Sequence, residues 1–358
     1  MQQSHQIAVI NAGSTSTKLA VYKDAEQVLS TSLSHPAAEL DAFATIWDQY
    51  DYRRGLIEGY FAEVLPDWRD VDIISVRGGN LRPVPGGVYR VEQAMFADMK
   101  SGLYGAHPCS VVSLIAYDLG NEHGVPVVTV DPPATDELCP WARYSGLPQI
   151  RRISSFHALS QKATARKECA KRAMVYEDSN LIVVHMGGGI SVGAHQRGKI
   201  IDVNNALDGD GAFSGERAGS LPNGDLIRMC FSGQYTQQQM LRLVHGQGGL
   251  YAYLGTTDCL EIERRMESGD DYAREVLYAM AYQVSKEIGA AAAALKGEVE
   301  FIAFTGNLAR SSYLMDWIGE RVRFIAPIAL WPGENEMQAL ADGALAYLRG
   351  EVALTPYQ

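Results

Sequence analysis

The sequence predicts two α/β domains of similar plan, each opening with three consecutive antiparallel strands. Three observations carry this expectation: a length of 358 residues, which exceeds one ordinary hydrophobic core; a strand, tight turn and strand pattern that occurs twice; and a shift after each copy toward helices alternating with short apolar strands. In the first copy an apolar run at 7–10 breaks at Asn11-Ala12-Gly13-Ser14-Thr15-Ser16-Thr17, resumes at 18–22, turns at 23–26 and continues over 27–34. In the second, 181–184 breaks at His185-Met186-Gly187-Gly188-Gly189, resumes at 190–195, turns at Gln196-Arg197-Gly198 and continues over 199–203. Further short strands are expected at 71–76, 125–130, 301–304 and 323–327. Apolar spacing of three and four predicts helices over 110–123, 157–174, 272–295 and 336–349, with Pro108 and Pro332 just upstream of two of them. No Gly-, Ser- or Pro-rich linker separates the halves, so hinging is expected at short connections near 151–155.

Composition narrows the function classes. An apolar share of 47% and a charged share of 20% belong to a globular chain, and the net charge of -11 is spread without an acidic tail. Nucleic-acid binding is not expected, because it requires a clustered positive face. The start shows no charged region followed by an apolar one, and the apolar run 288–295 is far shorter than the ~20 residues of a membrane span, so a cytoplasmic protein is expected. Five cysteines, widely spaced and without a C-x-x-C pair, read as reduced, buried thiols.

The two hairpin turns have the composition of a phosphate cradle. Small residues let backbone approach phosphate oxygens, and amides and hydroxyls donate to them: Ser14, Thr15, Ser16, Thr17 and Lys18 in the first turn, the bare backbone of Gly187, Gly188 and Gly189 in the second. A third segment, 301–307, is a buried strand entering a Gly306-Asn307 turn, suited to a nucleoside edge. Each feature alone also fits an ordinary turn; their combination is what points to a nucleotide.

The segments INAGSTSTK, VRGGNLRPVPGGVY, FHALSQKATARK, VVHMGGGISVGAH, IDVNNALDGDGAFSGERAGSLPNGDL, CFSGQYT and WPGENEMQALADGALAYLRGE, in order from about residue 7 to 351, resemble the butyrate kinases of the acetokinase family. The resemblance implies the duplicated, ribonuclease H-like fold of the actin, hexokinase and acetokinase superfamily, with an interdomain cleft. It makes 1–153, completed by a C-terminal helix at about 336–358, an N-terminal acetokinase-type domain, and 154–335 a nucleotide-binding domain. It further implies ATP/ADP and Mg2+ as cofactors, a short-chain carboxylic acid and its acyl phosphate as substrates, and a homodimer or larger homo-oligomer.

Transfer to a carboxylate needs no strong base, because the acid is already ionised at neutral pH; it needs alignment and neutralised charge. Arg217, in a polar loop between two glycines, matches the family's transition-state arginine. His157, at a helix start, matches its phosphoryl-contacting histidine, with Phe156 beside it expected at the acyl pocket. Asp131, after a buried strand, corresponds to the aspartate near substrate and Mg2+; Asn11 corresponds to the first-turn asparagine near metal and phosphate. Glu336 is favoured over Glu334 as the acid near Mg2+. Arg77 is expected to meet the substrate carboxylate, with His107 at the substrate and His185 and Asp208 at the nucleotide. Two departures from the family pattern stand out: Asn307 replaces a usual glycine, and His107-Pro108-Cys109-Ser110 differs, which bears on acyl preference. Acetate, propionate or a sugar hydroxyl as acceptor, and a non-catalytic nucleotide-binding regulator, are the rival readings.

Overall fold

The computed structural model describes residues 4–13, 16–65, 67–105 and 107–358, except for the side chain of residue 37. The chain forms two compact units, 1–136 with 335–358, and 137–334.

The first unit is built on a six-stranded sheet of β1 (Gln6–Ala12), β2 (Ser16–Lys23), β3 (Glu26–Ser34), β4 (Ile73–Val76), β5 (Val88–Arg90) and β6 (Val127–Val130), in the order β3-β2-β1-β4-β6-β5. The β1, β2 and β3 strands are antiparallel, whereas β1, β4 and β6 run parallel. Side chains alternate across the pleat. Ala8, Ile10, Ile74 and Val76 pack with Ile57 and Phe61 of the helix Tyr50–Val64 and with Val111 and Ile115 of the helix Pro108–His123. Ser75, pointing the other way, donates to Leu340 O at 2.8 Å in the helix Glu336–Leu348. The C-terminal helix thus completes the first unit.

The second unit holds a five-stranded sheet of β7 (Asn180–Met186), β8 (Ile190–Gln196), β9 (Lys199–Val203), β10 (Ile302–Gly306) and β11 (Ile328–Pro332), in the order β11-β10-β7-β8-β9. Its antiparallel trio and two parallel additions repeat positions β3-β2-β1-β4-β6 of the first sheet, so the duplication read from the turns extends to the strand order. On one face Ile182, Val184, Ile302 and Phe304 pack with the long helix Asp271–Ala294; on the other Leu181, Val183, Phe301 and Ala303 meet Ala165 and Cys169 of the helix Ala158–Lys171.

Three sequence expectations shift. The strand placed at 323–327 is the turn closing the helix Ser312–Val322, with Ile325 N–H bonded to Val322 O; the strand begins only after Pro327, which has no N–H for a ladder. The segment 137–153, expected with the first domain, belongs to the second unit: Lys162 Nζ pairs with Glu137 at 2.7 Å, and Leu138 and Ala142 pack with Ile200 and Val203. Of the five thiols, all free, Cys109 and Cys169 are buried but Cys230 is exposed, contrary to the expectation of burial. Among the described residues no helix is long and apolar enough to cross a membrane.

Candidate active site

In the first unit the parallel pairing of β1, β4 and β6 brings their carboxyl ends side by side, where α/β proteins gather chemistry. Asn11 lies on β1, Arg77 follows β4 and Asp131 follows β6. Buried Asn11 donates through Nδ2 to Glu336 Oε2 at 2.8 Å, and Arg77 Nη1 donates to the same oxygen at 3.2 Å and to Asn11 Oδ1 at 3.5 Å. Glu336 opens the helix Glu336–Leu348, where the helix dipole favours a carboxylate. Glu334 instead accepts from Asn307 Nδ2 at 3.5 Å in the second unit, so the two acids weighed at this stretch part company.

Asp131 is buried at a φ of 39°, a left-handed conformation that Asp tolerates better than most residues. Gly87 N–H donates to its Oδ1 at 2.8 Å and its own N–H returns a 2.8 Å bond to Gly87 O, so the carboxylate is oriented by backbone. His107 caps the helix Pro108–His123, its Nδ1 accepting from Cys109 N–H at 3.2 Å. Burial, then the charges of Arg77 and Arg53, push its pKa down to about 4. Lys18 sits opposite Asn11 in the β1–β2 ladder, and Gly13 N–H closes the turn onto Ser16 O at 2.8 Å. Ser14 and Thr15 lie outside the described residues.

Sequence reasoning missed Arg53. Its guanidinium, 1% exposed, is held by Gln49 Oε1 at 2.9 Å and reaches Thr17 Oγ1 at 3.3 Å and Gly13 O at 3.4 Å, bracing the first turn from within the core. Burial lowers its pKa. The available signal was an arginine among the inward positions of the helix Tyr50–Val64.

In the second unit the β7–β8 turn carries Gly187, Gly188 and Gly189, with Gly187 N–H bonded to Gly189 O at 3.0 Å. The Arg217 guanidinium lies against Gly189, where any Cβ would strike it, and Nη1 donates to Ala206 O. Burial lowers its pKa against the opposing pull of Glu216 and Asp208; a guanidinium nevertheless keeps its charge. Ser214 Oγ donates to Gly188 O at 2.6 Å, and the Glu216 carboxylate, another residue not anticipated, borders the same glycine. Asp208 is exposed in a turn in which its N–H bonds Asn205 Oδ1 at 3.0 Å.

Ala206 N–H is tied to Ser155 O at 2.8 Å, which fastens the Arg217 loop to the approach of the helix Ala158–Lys171. His157 stands at that helix's N-cap, and its ring stacks on His185 with centroids 3.8 Å apart and 11° between planes. Phe156 packs on the apolar cluster of Leu138, Ala142, Ile200 and Val203. Thus His157, His185, the three glycines and Arg217 gather in one unit, and Asn11, Arg77, Asp131 and Glu336 in the other.

The sequence model of the Acetokinase family matches residues 130–317. Butyrate kinase 2 of Clostridium acetobutylicum is 45% identical over 353 residues, covering 99% of each chain. The chain belongs to the acetokinase family. A probable butyrate kinase of Clostridium botulinum is 46% identical over 348 residues, 97% of this chain and 98% of that one. The crystal structure of Porphyromonas gingivalis acetate kinase superimposes with a TM-score of 0.75 at 17% identity, covering 95% of this chain and 99% of that one, which establishes the fold.

In this member of the acetokinase family, β10 ends at Gly306 with a φ of 89°, and a Cβ there would fall on the Met186 backbone. Gly306 and Gly333 exchange N–H···O bonds of 3.2 and 3.0 Å, and Asn307 follows, exposed, at the start of a 3-10 turn. Because neither the φ nor backbone atoms can yield cheaply, Gly306→Ala is expected to lower stability by about 1–3 kcal/mol. The denaturant midpoint reads it; an unchanged midpoint would show that the turn rearranges freely. Among the described residues no three His, Cys, Asp or Glu side chains form a metal cage. The hard oxygens of Asn11 and Glu336 still suit Mg2+, which takes few protein ligands because it keeps waters and substrate phosphates.

Proposed function

We propose that this member of the acetokinase family reversibly transfers the γ-phosphoryl group of ATP to the carboxylate of a short-chain fatty acid, butyrate or a close straight or branched analogue. A carboxylate oxygen attacks the γ-phosphorus, the bond to the β–γ bridging oxygen breaks, and acyl phosphate and ADP result. The observation that carries this reading is the Arg217 guanidinium held against Gly189 beside the His157–His185 stack: a fixed cation and imidazole donors next to bare backbone. Such an arrangement stabilises charge on equatorial phosphoryl oxygens without any base. A nearly full-length relative named butyrate kinase, 45% identical, supports the choice of acid.

In this reading Ser16, Lys18, His185 and the glycines Gly187, Gly188 and Gly189 hold phosphates, while Gly306 and Asn307 border the nucleoside. Arg77 exchanges its contact with Glu336 for the substrate carboxylate, and Phe156 meets the acyl chain. Glu336, Asn11 and Asp131 would hold Mg2+, which when bound neutralises phosphate charge. The helix Asn223–Cys230 buries none of its residues, and Ile227, Met229 and the adjoining Phe231 are exposed, which supports a homo-oligomer.

Trapping acyl phosphate as its hydroxamate tests the reaction. With straight and branched acids of about two to six carbons, product is expected with a maximum near butyrate; no hydroxamate from any of them refutes the activity.

A further inference from the structure

Behind His157 runs a chain of polar side chains that no phosphoryl-transfer role requires. His157 Nδ1 lies 3.0 Å from Ser191 Oγ; Gln161 Nε2 is 2.7 Å from the same Oγ and 3.1 Å from Ser191 O; Gln161 Oε1 is 3.0 Å from His195 Nε2; and Tyr176 Oη is 2.9 Å from His195 Nδ1. Gln161, Ser191 and His195 are wholly buried and Tyr176 is 3% exposed, so each of these groups depends on its protein partners.

The direction of every bond follows from what each atom can do. Ser191 O is a carbonyl and only accepts, so the Gln161 NH2 faces Ser191 and its carbonyl oxygen faces His195. That oxygen also only accepts, so His195 carries its proton on Nε2. Buried without charge, as its pKa lowered by burial and by Lys162 and Arg166 agrees, His195 leaves Nδ1 bare to accept from Tyr176 O–H. At the other end both Gln161 amide hydrogens are directed at Ser191, one to O and one to Oγ. Among the described residues Ser191 Oγ has hydrogen-bond contact only with Gln161 and His157. Its own hydrogen therefore goes to His157 Nδ1, since the alternative leaves a buried hydroxyl donor unmet.

We infer that Ser191, Gln161 and His195 are positioning residues that lock His157 in the tautomer with bare Nδ1 and protonated Nε2, so that Nε2–H is a hydrogen-bond donor. The donor's target, a phosphoryl oxygen, rests on the function proposed above; the tautomer does not. A ring held this way cannot serve as general base through Nε2, which suits an acceptor that arrives already ionised and disfavours an alcohol acceptor activated by His157. The helix and strand periods build the device: Gln161 lies one turn after His157, and Ser191 and His195 share a face of β8.

The test is a long-range proton–nitrogen correlation spectrum of the full-length protein labelled with [15N]histidine, with His157 assigned by its loss in His157→Gln. The wild-type ring is expected to show protonated Nε2 and unprotonated Nδ1. In Gln161→Glu the introduced carboxylate accepts from Ser191 Oγ–H, so the hydroxyl turns away and His157 Nδ1 becomes the donor: the tautomer switches. The same variant is expected to lower kcat by about 10²-fold, the effect of losing one preorganised donor, with a smaller change in KM for ATP. A wild-type His157 protonated on Nδ1 overturns the inference even if Gln161→Glu does not fold, and so does an unswitched ring in a folded Gln161→Glu. Absence of hydroxamate alongside the expected tautomer overturns the function and leaves the relay standing.

Discussion

Arg217→Ala is expected to lower kcat for acyl phosphate formation by about 10³-fold or more, the scale of a lost arginine at a transferring phosphoryl group, with much smaller changes in KM for ATP and acid. The size follows from where the charge is needed. Donor and attacker are both anions, and the strain of bringing them together peaks when the γ-phosphoryl lies between them; a cation fixed at that moment acts mainly on kcat. Arg217 is fixed from several sides: Nη1 on Ala206 O, the guanidinium against Gly189, and its carbonyl accepting from Ser214 N–H at 3.0 Å. Arg217→Lys should recover only part of the loss, because an ammonium cannot reproduce the planar fork. Steady-state kinetics over an acid and ATP grid decide it. A loss below about tenfold, or one confined to KM, would assign Arg217 to binding or to loop structure.

What the sequence disclosed, and what it hid, divides along the range of the interactions. Both hairpins were legible because period-two apolar runs interrupted by small residues are local patterns, and the duplicated strand order follows from them. Asn11, Arg77, Asp131 and Glu336 were legible as residues at element ends. Their gathering was expected only through the family resemblance, because it depends on the parallel pairing of β4 with β1 and β6 and on a helix from the far end of the chain. Arg53 was hidden for a related reason: a guanidinium buried in an apolar helix shows its purpose only once Thr17 and Gly13 are brought beside it. Gln161 and Ser191 look like ordinary helix and strand residues in the sequence, and only the one-turn spacing of Gln161 from His157 hints at their contact. The strand placed at 323–327 erred where apolar composition outweighed the meaning of Pro327.

Lys162→Met is expected to destabilise the second unit by about 3–5 kcal/mol, the cost of leaving a buried carboxylate without its partner charge. The Lys162–Glu137 pair is bidentate, at 2.7 and 2.8 Å, with side chains 3% and 6% exposed, and Glu137 Oε2 also accepts from Ile200 N–H at 2.8 Å. With the ammonium gone, a backbone donor such as Ile200 N–H cannot replace the hydration and the neutralising charge the carboxylate gave up. Lys162→Met combined with Glu137→Leu should be less damaging than Lys162→Met alone, because it removes the stranded charge, whereas an unmet N–H such as that of Ile200 costs about 1–3 kcal/mol. Denaturant midpoints of the three proteins give the order. A single variant as stable as wild type would show that the pair does not hold 137–153 to this unit. The consequence reaches the site, since Leu138 and Ala142 pack in the cluster that seats Phe156, the neighbour of His157. Loosening Glu137 should therefore disturb acyl-chain preference before it disturbs ATP binding.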